Sequence, residues 1–166
     1  MKVTLFISGI IIGVGLGYLL IPSSSANTKI NSESIKTQVI SRADTDRESG
    51  NWGILDKYTY DQACTYGTED MFTAYVELMP GQSVHPPHRH AEEEFLFIID
   101  GTGVWTVDGK EQFEAKSGDL LYASPWKWHG VQNTGTETMT FFFLKWNNKE
   151  VSPPAEPEGA HVKINN

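Results

Sequence analysis

Residues 81–101 read GQSVHPPHRHAEEEFLFIIDG, and this stretch decides both the fold and the site. It sets His88 and His90 two apart, Glu94 four further on and Gly101 at its end. Side chains two apart on an extended strand point to the same face. His88 and His90 can therefore converge on one point while Arg89 turns away. Glu94 shares their parity, with a short bend at 91–93 to aim it; Glu92 is the alternative ligand if the bend differs, and otherwise Glu92 and Glu93 are expected in solvent or behind the ligands. A second stretch, GDLLYASPWKWHGVQN at 118–133, supplies His129. Three imidazoles and a carboxylate without thiolate suit one divalent ion of Mn, Fe, Co, Ni, Cu or Zn. Four protein ligands in an octahedral site leave room for water or a substrate.

These two stretches together resemble the paired motifs of the cupin superfamily. Gly81, His88, His90, Glu94 and Gly101 match the first motif, with one residue more than the common form between Gly81 and His88. Gly118, Asp119, His129 and Asn133 match the second, in which Ser124 stands at the usual Pro and Trp126 at the usual Gly. The resemblance covers about residues 70–146. It implies an all-β fold, a single double-stranded β-helix or jelly-roll barrel, with a metal inside. Dioxygenation, sugar isomerisation, decarboxylation and lyase chemistry are all activities that it makes available, and it selects none of them.

Turn signals sketch the same barrel. Strands are expected at 72–79, 95–99, 104–107, 112–115, 120–123, 130–132 and 139–146, separated by Pro80-Gly81, Asp100-Gly101, Asp108-Gly109, Gly118-Asp119 and Thr134-Gly135. The chain's 166 residues suffice for one domain with extensions. A formal net charge of −8 argues against a nucleic-acid partner. The single cysteine, Cys64, can form no disulfide within the chain and shows no nucleophile or metal motif.

The flanks read differently. Residues 3–21 are almost uninterrupted apolar sequence after Lys2 and are expected as a helix. Their length nearly spans a bilayer, which suits an uncleaved anchor. Ser24-Ser25-Ala26 instead resembles a cleavage site, which suits a signal peptide. Both readings place the barrel across a membrane, either tethered facing outward or released as a secreted or periplasmic protein. Residues 1–21 thus form the signal or anchor, and 22–50 a polar flexible linker with one short strand at 37–41. The barrel is expected over 51–146, and 147–166 as a Pro-rich exposed tail that includes His161.

Strands 95–99 and 141–144 lack polar alternation, so both of their faces are expected to be covered. A second copy of the chain is the expected cover, with the N-terminal segment as the other choice. Around the metal, Trp105, Tyr122, Trp126, Trp128 and Phe143 are expected to wall a pocket for a small-molecule ligand. His85 is the candidate for proton transfer; read otherwise, it is a polar loop residue. Lys145 shares the parity of Met139, Phe141 and Phe143, but the surface is its expected place. Three functional classes stand side by side. They are a metalloenzyme acting on a sugar, organic acid or phenolic, a non-catalytic sugar or acid binder anchored by the metal, and a domain whose metal is structural.

Overall fold

Several strands place every second side chain in the core, and glycine turns separate them. The computed structural model describes residues 34–60 and 65–158. Among these, nine strands form two antiparallel sheets: β1 (Asp46–Gly50), β2 (Gly53–Thr59), β3 (Thr68–Leu78), β4 (Glu93–Asp100), β5 (Thr102–Val107), β6 (Glu111–Lys116), β7 (Leu120–Ala123), β8 (His129–Asn133) and β9 (Met139–Asn148). The large sheet runs β1-β2-β3-β9-β4-β7 and the small one β6-β5-β8. Their inner faces meet over Val76, Leu78, Ile98, Met139, Phe141 and Trp105, all buried. This is the sandwich-like barrel that the motif spacing predicts.

Two turns show why their residues are needed. Gly101 has φ 87°, and a Cβ there would lie 2.8 Å from the Cα of Met139. Asp108 and Gly109 take φ 49° and 68°, the paired positive values of a type I′ turn, and so close the β5–β6 hairpin.

The fold starts earlier than composition indicates. Residues 37–41 form no strand; a 3-10 turn at Arg42–Asp44 leads into β1 within the region read as linker. β1 is wholly polar and exposed, so no apolar pattern marks it. What holds it is charge. Asp56 on β2 is fully buried and accepts from Arg47 Nε at 2.6 Å and Arg42 Nε at 2.6 Å. Arg42 also donates to Glu77 and lies 3.9 Å above the Tyr75 ring. The outer face of β2 and β3 is thereby covered from within the chain.

The rest of that outer face is not covered by the described residues. Phe97, Ile99, Leu120 and Tyr122 remain 47%, 42%, 59% and 46% exposed. The apolar segment at 3–21, residues 22–33 of the polar stretch after it, Cys64 and His161 lie outside the described residues.

Candidate metal centre

Four segments bring the ligand set together. Residues 81–90 run beside β8: Gly81 N–H donates to the Asn133 carbonyl, and Asn133 N–H to that of Gln82. Further along, His88 and His129 exchange both backbone hydrogen bonds as an isolated antiparallel bridge. The His90 carbonyl accepts from Trp126 N–H at 2.7 Å. Glu94 enters from β4, between Ala123 of β7 and Lys145 of β9. One donor atom from each of His88, His90, Glu94 and His129 then lies within 4.8 Å of the others.

Side-chain bonds set which nitrogen faces inward. His129 Nδ1–H donates to the Lys127 carbonyl at 2.7 Å, which leaves Nε2 as the inward lone pair. His90 Nδ1–H donates to the Glu92 carbonyl at 3.1 Å, and its Nε2 lies 2.9 Å from Glu94 Oε2. His129 Nε2 lies 3.7 Å from that same oxygen. His129 Nε2 and His88 Nδ1 are buried with no hydrogen-bond partner. Unpaired buried nitrogens are costly unless something accepts their lone pairs. Three imidazoles and a carboxylate, converging with two orphaned nitrogens, fit a divalent ion.

The charges agree with this arrangement. Burial, reinforced by the neighbouring imidazoles, pushes His88 down to about 3, so it is neutral. Burial also opposes charge on His90, but the bonds to Glu92 and Glu94 outweigh it and raise the ring to about 9. Burial opposes the Glu94 carboxylate likewise, yet His129 and His90 bring it down to about 2. A proton therefore sits where an ion's charge would replace it.

The cluster faces a cavity of about 330 Å³. Trp105 and Phe143 line it as the sequence predicts, and so does His85, which is exposed at the rim with its ring 4.1 Å from that of His88. Tyr122, Trp126 and Trp128 do not. Tyr122 lies on the outward parity of β7 and donates to Glu93. Trp128 packs against the Arg89 guanidinium, 5.2 Å from ring to charge. Trp126 occupies the usual Gly position with φ 63°, and that backbone sends its indole outward to the Pro154 carbonyl at 2.7 Å. Proximity in sequence to His129 was misleading because the turn reverses the side-chain direction.

Several wall residues differ from the sequence reading, four of them with side chains of chemical interest. Lys57 and Tyr60 come from the β2 region, Phe72 from β3, and Lys145 faces inward instead of the surface. Parity was the available signal for Lys145, since it continues the inward series Met139, Phe141, Phe143. Asn133 has a structural role: its buried amide donates to the Leu78 and Glu137 carbonyls and accepts from Gly135 N–H.

Comparison with known proteins agrees with this geometry. The family model described as "Cupin domain" matches residues 74–145. A gentisate 1,2-dioxygenase from Streptomyces is 40% identical over 77 residues, which is 46% of this chain and 21% of that protein. The oxalate-binding protein of Thermotoga maritima is 32% identical over 68 residues, 41% of this chain and 55% of that one. The chain thus spans about a fifth of the dioxygenase's length and about half of the binding protein's. The crystal structure of the polyketide cyclase RemF from Streptomyces resistomycificus superposes with a TM-score of 0.55 at 17% identity, covering 75% of this chain and 90% of that one.

Proposed function

We propose that this chain, whose residues 74–145 match the cupin domain, is a metal-dependent enzyme acting on a small oxygen-rich organic molecule. The observation that carries this reading is the position of the four-residue cluster: three of its members, His88, Glu94 and His129, line a cavity. A purely structural site would have no reason to face one. A divalent ion bound there supplies Lewis acidity toward an oxygen ligand.

The chain's own residues do the remainder. Phe72, Phe143 and Trp105 give the ligand dry, flat walls. Glu92, bonded to His90, fixes that ring's orientation. His85, at the rim beside His88, is the side chain placed to carry a proton between ligand and solvent. The dioxygenase relative supports an enzymatic reading.

A second reading is a binding module that holds its ligand without turnover. The oxalate-binding relative supports it, as does the exposure of His85, which gives that ring no fixed tie to a reacting group. One experiment separates the two. Metal-loaded and metal-free protein are screened by calorimetry and product analysis against sugars, uronates, dicarboxylates and phenolic acids. Metal-dependent turnover supports the enzyme; metal-dependent binding without turnover supports the module; equal binding in both forms defeats both.

We also hold that residues 3–21 export the chain. Fractionation with N-terminal sequencing tests this, and a soluble cytoplasmic protein with Met1 intact would overturn it.

A further inference from the structure

Lys145 stands on the inner face of the large sheet, where a barrel otherwise places apolar side chains. In register it lies between Phe72 of β3 and Glu94 of β4, so its strand position is next to a candidate metal ligand. Its side chain is only 23% exposed. A lysine so far withdrawn from water needs an anionic partner. Glu94 is the carboxylate that the register offers, but the ammonium donates instead to Glu92 Oε1 at 3.2 Å, just before β4 begins.

Glu92 is engaged on both of its oxygens. Oε1 takes the lysine, and Oε2 lies 3.3 Å from His90 Nδ1. The main-chain carbonyl of Glu92 accepts the same Nδ1–H at 3.1 Å. On the far side of that ring, His90 Nε2 faces Glu94 at 2.9 Å. A chain of contacts therefore runs from Lys145 through Glu92 to the nitrogen that His90 turns toward the cluster. His129 is tied differently, to the Lys127 carbonyl, a backbone group. The orientation of His90 thus depends on side chains in a way that the orientation of His129 does not.

From this arrangement we infer that Lys145 is a positioning residue of the metal centre: it holds the Glu92 carboxylate against His90, and Glu92 in turn keeps the ammonium off Glu94. The inference rests on the metal reading of the four-residue cluster. The direction of the effect tells this role from that of a plain charge. An ammonium near a divalent ion repels it, so a lysine acting through space alone would hinder binding, and its removal would tighten it. A lysine acting through Glu92 does the opposite. Its loss frees the carboxylate to turn and lets the imidazole swing, and partners that orient a metal-binding histidine are worth about 10–100-fold in metal affinity. Glutamine at position 92 has one carbonyl oxygen and can accept from only one of the two groups, so Glu92→Gln breaks the chain of contacts at its middle.

The test measures zinc affinity of the full-length protein by competition with a chromophoric chelator. Wild type, Lys145→Met, Lys145→Gln, Lys145→Arg, Glu92→Gln and the double variant Lys145→Met/Glu92→Gln are compared, each checked by circular dichroism and by its metal-free thermal midpoint. Lys145→Met and Lys145→Gln, either of which suffices if the other fails to fold, should weaken zinc about tenfold, while Lys145→Arg should stay within about threefold of wild type. In the Glu92→Gln background, loss of the lysine should weaken zinc no further. Heteronuclear NMR of the histidine rings in the zinc form gives a second readout. The His90 ring N–H should exchange with solvent faster in Lys145→Met, and the His129 ring N–H should not change. Unchanged or tighter zinc binding in the single lysine variants would overturn the positioning role. Equal weakening with and without Glu92 would overturn it too, since the lysine would then act on the cavity in general. If wild type binds no zinc, or binds it equally after His88→Ala/His129→Ala, the metal reading and the positioning role fall together; with zinc bound at the cluster, the other adverse results strike the positioning role alone.

Discussion

His88 and His129 hold each other in place through their backbones, His88 N–H to the His129 carbonyl at 3.0 Å and the reverse bond at 2.9 Å. Two metal-ligand candidates from separate segments are thus positioned by the sheet itself. The metal-free protein should therefore stay folded. A binding ion should raise the thermal midpoint in a concentration-dependent way, by the equivalent of about 4 kcal/mol at a thousandfold excess over Kd. Thermal unfolding followed by circular dichroism, with and without chelator, checks both parts. Loss of strand signal on chelation would mean that the ion builds the site.

Asp56 should govern acid stability. Hydrogen bonds from Arg47, against the cost of burial and with help from Arg42, hold its carboxyl at about 2, below the ordinary value of 3.8. A depressed pKa gives stability that is present above the unfolded value and lost as pH falls through the folded one. Asp56→Asn should cost about 1–3 kcal/mol at neutral pH, the worth of hydrogen bonds to a charged group. Solvent reaches both arginine side chains, 38% and 52% exposed, and keeps that cost below the figure for a fully buried pair. The gap between wild type and variant should be full above about pH 4 and vanish toward about pH 2. Urea titrations at several pH values measure it.

Trp126 should prove dispensable for ligand binding. Its left-handed backbone costs roughly 1–2 kcal/mol in a residue with a side chain. Trp126→Gly relieves that strain and loses the bond to Pro154, worth about 0.5–1.5 kcal/mol. Net stability should change by less than about 1.5 kcal/mol, the difference of the two. The tail after β9 should become easier to cleave in limited proteolysis, while ligand affinity stays the same. Phe143→Ala, on the cavity wall, should weaken an aromatic ligand by about 1–3 kcal/mol.

Phe97, Ile99, Leu120 and Tyr122 form an apolar outer face on β4 and β7. We expect a second copy of the chain to cover it. Light scattering on a chain starting at residue 34 should show a dimer, and Phe97→Lys should shift it toward monomer. A monomer at high micromolar concentration would show that the exposed face needs no second copy.

Seven of the nine strands were legible because turn glycines and apolar runs bracket them. β1 and β2 were not. DRESG has no apolar residue, and GILDKYT breaks its run with Asp56, which is buried only because two arginines reach over from outside the strand. No local pattern encodes that. At the site, ligand spacing was legible because strand parity is rigid. The wall was less so, since Trp126 and Trp128 lie in a turn where parity does not apply. Lys145 followed parity, and the general preference of lysine for the surface gave the wrong expectation.

The central claim is that His88, His90, Glu94 and His129 bind one divalent ion. Elemental analysis of protein purified without added metal, beside a His88→Ala/His129→Ala variant with wild-type circular dichroism, tests it most directly. The account predicts about one ion per chain in wild type and less than about a tenth of that in the variant, since half the ligand set is gone. Full occupancy in the folded variant would contradict it.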